Sequence, residues 1–179
     1  MTELSATEVD RLAEDFNRYH SQEFPETHPV VEERLTDLLQ EQNHLGVDEV
    51  ADAIRWKLAN QPSRRDRYIE NLRSVPGKFV EFVTSAAFLV GKTRQQMKTL
   101  SAIPGVGYAT ATVLMTFRNP TEYAIGDRYI NEAVLGLVDT QVTLSNYERL
   151  LGKLRELNPG EFDLRTVEKA YYMEHLKGR

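Results

Sequence analysis

Proline and glycine mark nearly every join in this sequence, and between the joins apolar residues recur at helical spacing, which confines the chain to short helices linked by tight turns. The joins are Pro62, Pro76-Gly77, Gly91, Pro104-Gly105, Pro120 and Pro159-Gly160. Ser5 and Glu8 form a capping box ahead of Val9, Leu12, Phe16 and Tyr19. A second helix is predicted after Pro29, with Val30, Val31, Leu35, Leu38 and Leu39 on one stripe, stopping near Gly46. A third, over 47–60, aligns Val47, Val50, Ile54 and Leu58. Further helices are predicted over 63–74, 76–90, 93–102, 107–117, 128–138, 146–157 and 164–176. No heptad run lasts several turns, so the expected fold is all-α: a compact orthogonal bundle of about ten short helices. With 41% hydrophobic residues in 179, one sizeable core can form, as a single domain over 1–179 or as two small lobes sharing an interface.

The net charge of −5 hides a strong asymmetry. Residues 1–54 hold 3 Lys/Arg and 14 Asp/Glu, a net −11; residues 55–100 hold 10 and 3, a net +7; residues 101–179 hold 9 and 10, a net −1. A polyanion responds to the local field, so the middle segment is the candidate nucleic-acid face. The alternative is that these cations sit against the acidic N-terminal helices. The longest apolar run, 79–90, is interrupted by Glu81 and falls short of a bilayer span, so no membrane association is expected. The N-terminus carries no basic region followed by an apolar stretch, and a cytoplasmic location is the expectation. Cysteine is absent, which excludes disulfides, thiol nucleophiles and Cys-ligated zinc or iron–sulfur clusters. His20, His28, His44 and His175 share no ligand spacing, so no transition-metal site is expected.

The most informative stretch is Leu100 to Met115, within a predicted helix–turn–helix unit over 93–117. Its Gly-x-Gly lacks the third glycine of a dinucleotide fingerprint and follows a helix, not a strand, so that reading fails. The predicted arrangement is a helix ending at Ile103, a turn through Pro104, Gly105 and Val106, and a second helix opening at Gly107. The free amides of Val106, Gly107, Tyr108 and Ala109 would face outward, where the helix dipole can hold a phosphate without reading sequence, and with Gly105 before them and Thr110 behind they form the expected DNA-binding set. Leu100, Ile103, Val106, Ala111 and Leu114 would lock the two helices together. An ordinary glycine-capped helical hairpin is the structural alternative.

Ile103-Pro-Gly-Val-Gly-Tyr-Ala-Thr-Ala111 resembles the Leu-Pro-Gly-Val-Gly-x-x-Thr-Ala signature of the helix-hairpin-helix DNA glycosylase superfamily. The likeness continues through Pro120-Thr-Glu-Tyr-Ala-Ile-Gly-Asp127, a Pro-containing loop ending in an Asp at the family's spacing from the hairpin, and covers roughly 95–137. Arg55-Trp-Lys57 and the Asp163-Leu-Arg-Thr-Val-Glu168 segment make the pattern look more like bacterial and archaeal glycosylase-fold proteins than any named enzyme. The resemblance implies DNA as partner, Asp127 as catalytic carboxylate, base release as the reaction and a monovalent cation held by hairpin carbonyls as the sole cofactor. Departures narrow it. Ala109 stands where bifunctional members such as endonuclease III carry a lysine, so lyase chemistry by that route is not expected and the implied enzyme is monofunctional. Gly126 replaces the usual Val, and Asp127-Arg128-Tyr129 stands where Asp-x-His is common. A non-catalytic DNA-binding module of a repair or defence complex is the alternative function.

Cleaving an N-glycosidic bond builds positive charge on the sugar, which an ionised carboxylate stabilises; Asp127 suits that role. Its place before 128–138 also makes it a good N-cap, whose helix amides would keep it ionised. Trp56 lies about 200° from Ile54 on a helical projection, placed either to stack on a base or to pack under a neighbouring helix, with Lys57 or Arg55 available to a phosphate. Arg64, Arg65 and Arg67 could grip the backbone, and Tyr108, Arg128 and Tyr129 flank the candidate base pocket.

Overall fold

The computed structural model describes residues 3–26, 28–160 and 162–178, and among these the structure is wholly helical, with no strand. Ten helices follow in order: α1 Ala6–Glu23, α2 His28–Glu41, α3 Val47–Lys57, α4 Pro62–Leu72, α5 Gly77–Leu89, α6 Thr93–Leu100, α7 Tyr108–Arg118, α8 Arg128–Leu135, α9 Leu144–Glu156 and α10 Leu164–Lys177. No helix among the described residues is long and apolar enough to cross a membrane. The Ser5/Glu8 capping box forms as expected, with Glu8 accepting from the Ser5 amide at 2.8 Å.

Boundaries shift where local chemistry overrides periodicity. Helix α3 stops at Lys57, three residues early, and Pro62 becomes the opening residue of α4, where its missing amide costs nothing. Helix α8 ends at Leu135, not Val138: Gly136 turns left-handed at φ 68°, the amide of Leu137 reaches back to the Asn131 carbonyl, and Val138 is left exposed.

Helix α7 is the central element. Every residue from Thr110 to Phe117 is buried, all round the helix, with α2, α3 and α6 packed around it. Three of these buried residues are threonines. Two satisfy their hydroxyls within the helix, Thr112 donating to the Ala109 carbonyl at 2.7 Å and Thr116 to that of Thr112 at 2.7 Å. The five apolar residues expected to lock the hairpin are all buried. One continuous apolar cluster runs from Leu4 to Met173. The first and last helices close it: α1 lies along α10, and the Leu4 amide donates to the Tyr171 hydroxyl at 3.2 Å.

The turn before α7 is held by contact with α4. Gly105 has φ 86°, and a Cβ built on it would stand 2.1 Å from the carbonyl oxygen of Tyr68. Glycine is therefore required at this position on two counts, handedness and space. Its bareness serves the α4 backbone. Gly105→Ala should lower stability by about 2–4 kcal/mol. Gly152, inside α9 with nothing within 4 Å of a built Cβ, should behave oppositely, with Gly152→Ala adding about 0.5–1 kcal/mol. Urea unfolding of the two variants beside the parent checks both signs.

Candidate functional site

Asp127 is carried by the strap that leads from α7 to α8, and tertiary hydrogen bonds pin this strap on several sides. The Ala124 carbonyl accepts from the Tyr147 hydroxyl at 2.8 Å, the Ile125 amide donates to Glu168 Oε2 at 3.4 Å, and the Gly126 amide donates to Thr112 Oγ1 at 2.9 Å. A Cβ on Gly126 would meet Val142 at 3.2 Å and Tyr147 at 3.3 Å, so neighbouring side chains fill the space that a side chain here would take. Asp127 then caps α8: its Oδ1 accepts from the Ile130 amide at 2.9 Å. Its Oδ2 accepts from Lys57 Nζ at 3.3 Å, and the Lys57 side chain is only 10% exposed. Lys57 is thus bound to Asp127, not presented to a phosphate from an open helix face.

A cavity of about 760 Å³ opens beside this pair. One side is the first turn of α7, with Gly107, Tyr108, Ala109 and Thr110 in its lining. The opening amides of an α-helix have no intrahelical acceptor, and those of Tyr108, Ala109 and Thr110 belong to that set. Val106 does not: its amide donates to the Ile103 carbonyl at 3.0 Å and its side chain is buried in the core, which removes it from the expected anion cradle. Gly105 is likewise outside the lining. Opposite stand Asp127, Arg128 and Tyr129. Arg128 lies over the Tyr129 ring at 4.8 Å and donates to its hydroxyl at 2.9 Å.

Further lining comes from α1, α2 and α10, which no sequence pattern connects to Asp127, and from α3, whose Trp56 is a candidate for the base pocket. Phe16 and His20 of α1, His28 of α2, Trp56 of α3, and Arg165, Glu168 and Tyr172 of α10 all border the cavity. Trp56 is buried; its indole donates to the His28 carbonyl at 3.1 Å, and its ring meets Phe117 edge-on. Packing therefore accounts for Trp56, on a helix buried on both faces, although one part of the residue still reaches the cavity. Besides the Asp163–Glu168 segment noted above, the sequence signal for α10 is the spacing of Arg165, Glu168, Lys169 and Tyr172, which places them on one helical face and which amphipathicity alone makes a solvated stripe.

Arg165 organises the buried side of the cavity. Its guanidinium takes Glu32 with two bonds, Nε to Oε1 at 3.0 Å and Nη2 to Oε2 at 2.9 Å, and also binds Glu168. Lys169 adds a second cation to Glu32 at 3.0 Å. Burial works to raise the Glu32 carboxyl, but Arg165 and then Lys169 outweigh it and hold it down at about 2. For Glu168, burial wins and pushes the carboxyl above its ordinary range. Burial also drives both histidines toward the neutral form, His20 to about 4 and His28 to about 3.

Among the basic residues of 55–100, the structure brings Lys57 and Arg64 to the cavity. Arg64 is exposed and bonds the Tyr68 hydroxyl at 3.0 Å. Arg65 pairs with its neighbour Asp66 and Arg67 lies over the Tyr68 ring, both outside the lining, because a run of four residues on a helix points in several directions. Among the described residues, only Arg55 and Arg73 of this segment form ion pairs with acids of the N-terminal 54 residues, with Asp52 and Asp48. Among the described residues no group of three His, Cys, Asp or Glu is placed to hold a metal ion. Comparison with protein-family models, curated proteins and solved structures finds no match to this chain.

The two depressed histidines give an acid-sensitive fold. Below the ordinary value of 6.5 the unfolded chain takes up protons that the folded chain refuses, so stability is lost as pH falls from about 6.5 towards 4 for His20 and 3 for His28. The expected slope is about 1 kcal/mol per pH unit for each histidine. Glu32 adds its own loss as pH falls from 4.5 towards about 2. Thermal midpoints between pH 6.5 and 5 should therefore fall in the parent, and most of that slope should vanish in the double variant His20→Phe, His28→Phe.

Proposed function

We propose that this chain is a DNA-binding protein that flips a base into the cavity and hydrolyses its N-glycosidic bond, with Asp127 as the acting carboxylate. The observation that carries this reading is the shared cavity: a volume of about 760 Å³, within the roughly 300–1,000 Å³ of small-molecule sites, lies between the opening turn of α7 and Asp127. The α7 amides and exposed Arg64 and Arg128 supply positive potential for phosphates at that cavity, and buried rings line another part of it. Positive charge that develops at the sugar carbon as the base leaves is stabilised by the Asp127 carboxylate, which also orients the attacking water. Ala109 supplies no amine at the α7 turn, so the expected product is an intact abasic strand. The reaction belongs to base-excision repair and to the cytoplasm.

One observation favours a second reading. Both Asp127 oxygens already have partners, Ile130 and Lys57, as a purely structural cap would. The non-catalytic DNA-binding module is therefore the competing function.

Gly107 is exposed, with nothing within 4 Å of a built Cβ, so Gly107→Glu places a carboxylate at the α7 turn without steric conflict. Affinity for duplex DNA should fall at least about tenfold irrespective of sequence, with helicity retained, and parent affinity should drop steeply with salt. Fluorescence anisotropy at matched ionic strength reads both. For Asp127, a panel of duplexes carrying single lesions is assayed for base release. Asp127→Asn keeps the cap and removes the charge, so release should fall by about 10²–10³ while folding and DNA affinity persist. Asp127→Ala should in addition cost about 0.5–2 kcal/mol of stability. Undiminished release by Asp127→Asn would exclude the catalytic role, and no release of any lesion by the parent would favour the binding module.

A further inference from the structure

We infer that His20 selects the ligand of the cavity by its hydrogen-bonding edge, accepting an N–H of a planar nucleobase at Nε2. This rests on the reading of the cavity as a base site and names what that site demands of the base.

Phe16 and His20 stack with centroids 3.9 Å apart and planes 28° apart; His20 and His28 follow at 4.7 Å and 31°, and His28 and Trp56 at 4.5 Å and 33°. Arg165 lies over Phe16 at 4.9 Å and over Trp56 at 5.4 Å. The four rings form a curved row, stacked at Phe16–His20 and tilted at the next two steps, with the guanidinium over both end rings. These residues therefore border the cavity mainly with ring edges, and an edge recognises by hydrogen bonding and not by stacking.

At the edge of His20 the proton can be placed. Nδ1 lies 3.0 Å from the Phe16 carbonyl oxygen, which only accepts, so Nδ1 carries the hydrogen. In the neutral ring Nε2 is then a bare acceptor. The residue is 7% exposed and lines the cavity. The charged groups around it are already engaged: Arg165 and Lys169 with Glu32, and Arg165 again with Glu168. The Trp56 indole is taken by the His28 carbonyl. A ligand that brings an N–H pairs with this acceptor, whereas one that brings only lone pairs or methyl groups displaces water from Nε2 and leaves it unpaired.

Trp56 is the sole tryptophan of the chain, so its fluorescence reports occupancy of the cavity without DNA or turnover. Uracil and adenine are titrated against their fully N-methylated analogues, which keep ring size and planarity but have no N–H. The parents should quench Trp56, and the methylated partners should bind about tenfold weaker or worse. His20→Phe keeps a ring in the row and removes the acceptor; it should weaken the parents to the level of the analogues. The same difference is then read in His20→Gln, whose amide oxygen restores an acceptor and part of the discrimination. Equal binding of parents and analogues overturns the inference, as does a difference that survives in His20→Phe or the absence of quenching by either parent up to its solubility. Base release from lesion duplexes alongside equal binding would remove His20 and leave the catalytic reading standing; discrimination without base release would do the reverse.

Discussion

The buried guanidinium of Arg165 is the contact on which the site depends. It ties α10 to α2 through Glu32, 133 residues away in sequence, and to Glu168 one turn further along its own helix. Glu168 in turn receives the Ile125 amide, two residues before Asp127. One planar cation thus joins two distant helices and the strap that presents the candidate carboxylate. Such a network is costly to bury and costlier to break, because removing Arg165 would leave the Glu168 carboxyl buried without its cation and Glu32 with Lys169 alone. Its contribution is to position as much as to stabilise: the rings of Phe16 and Trp56 lie under the same guanidinium, so the wall of the cavity and the placement of Asp127 share one anchor.

Around that anchor the cavity divides chemically. Where it is exposed, at Gly107, Arg64 and Arg128, the groups are helix amides and cations suited to an anion. Where it is buried, the imidazoles are neutral, the rings lie against one another and the cations are paired, so that part suits an uncharged heterocycle. Asp127 stands between, with Lys57 at 3.3 Å. The ammonium keeps the carboxylate oriented and partly neutralises its charge, so the field that a bound sugar would experience is that of the pair. The proposed nucleotide ligand, anionic at one end and neutral at the other, is the one this division would suit.

Much of the architecture was legible because helices declare themselves locally. The capping box at Ser5, the stripes on α2 and α3 and the Pro-Gly joins depend on spacing within a turn or two, and all ten helices are found where that spacing put them, to within a few residues. The turn before α7 was legible for the same reason, since only glycine takes φ 86° at position 105 without strain. Its detailed use was not: the space at Gly105 is taken by the Tyr68 carbonyl, and the Val106 amide is spent inside the turn.

The sequence by itself determined an all-helical chain, the turn that opens α7, and an aspartate at the head of α8, because periodicity, φ preference and capping act over a few residues. Only the tertiary structure decided what surrounds that aspartate. Lys57 lies 70 residues before it, Glu168 41 after it, and His20, His28 and Arg165 come from helices at the two ends of the chain. No local pattern shows that these residues meet, since a paired lysine, a histidine among rings and a buried arginine look in sequence like members of solvated or apolar stripes. Their roles arise when folding removes water: burial makes the imidazoles neutral, forces the charges to pair, and gathers seven helices around one cavity.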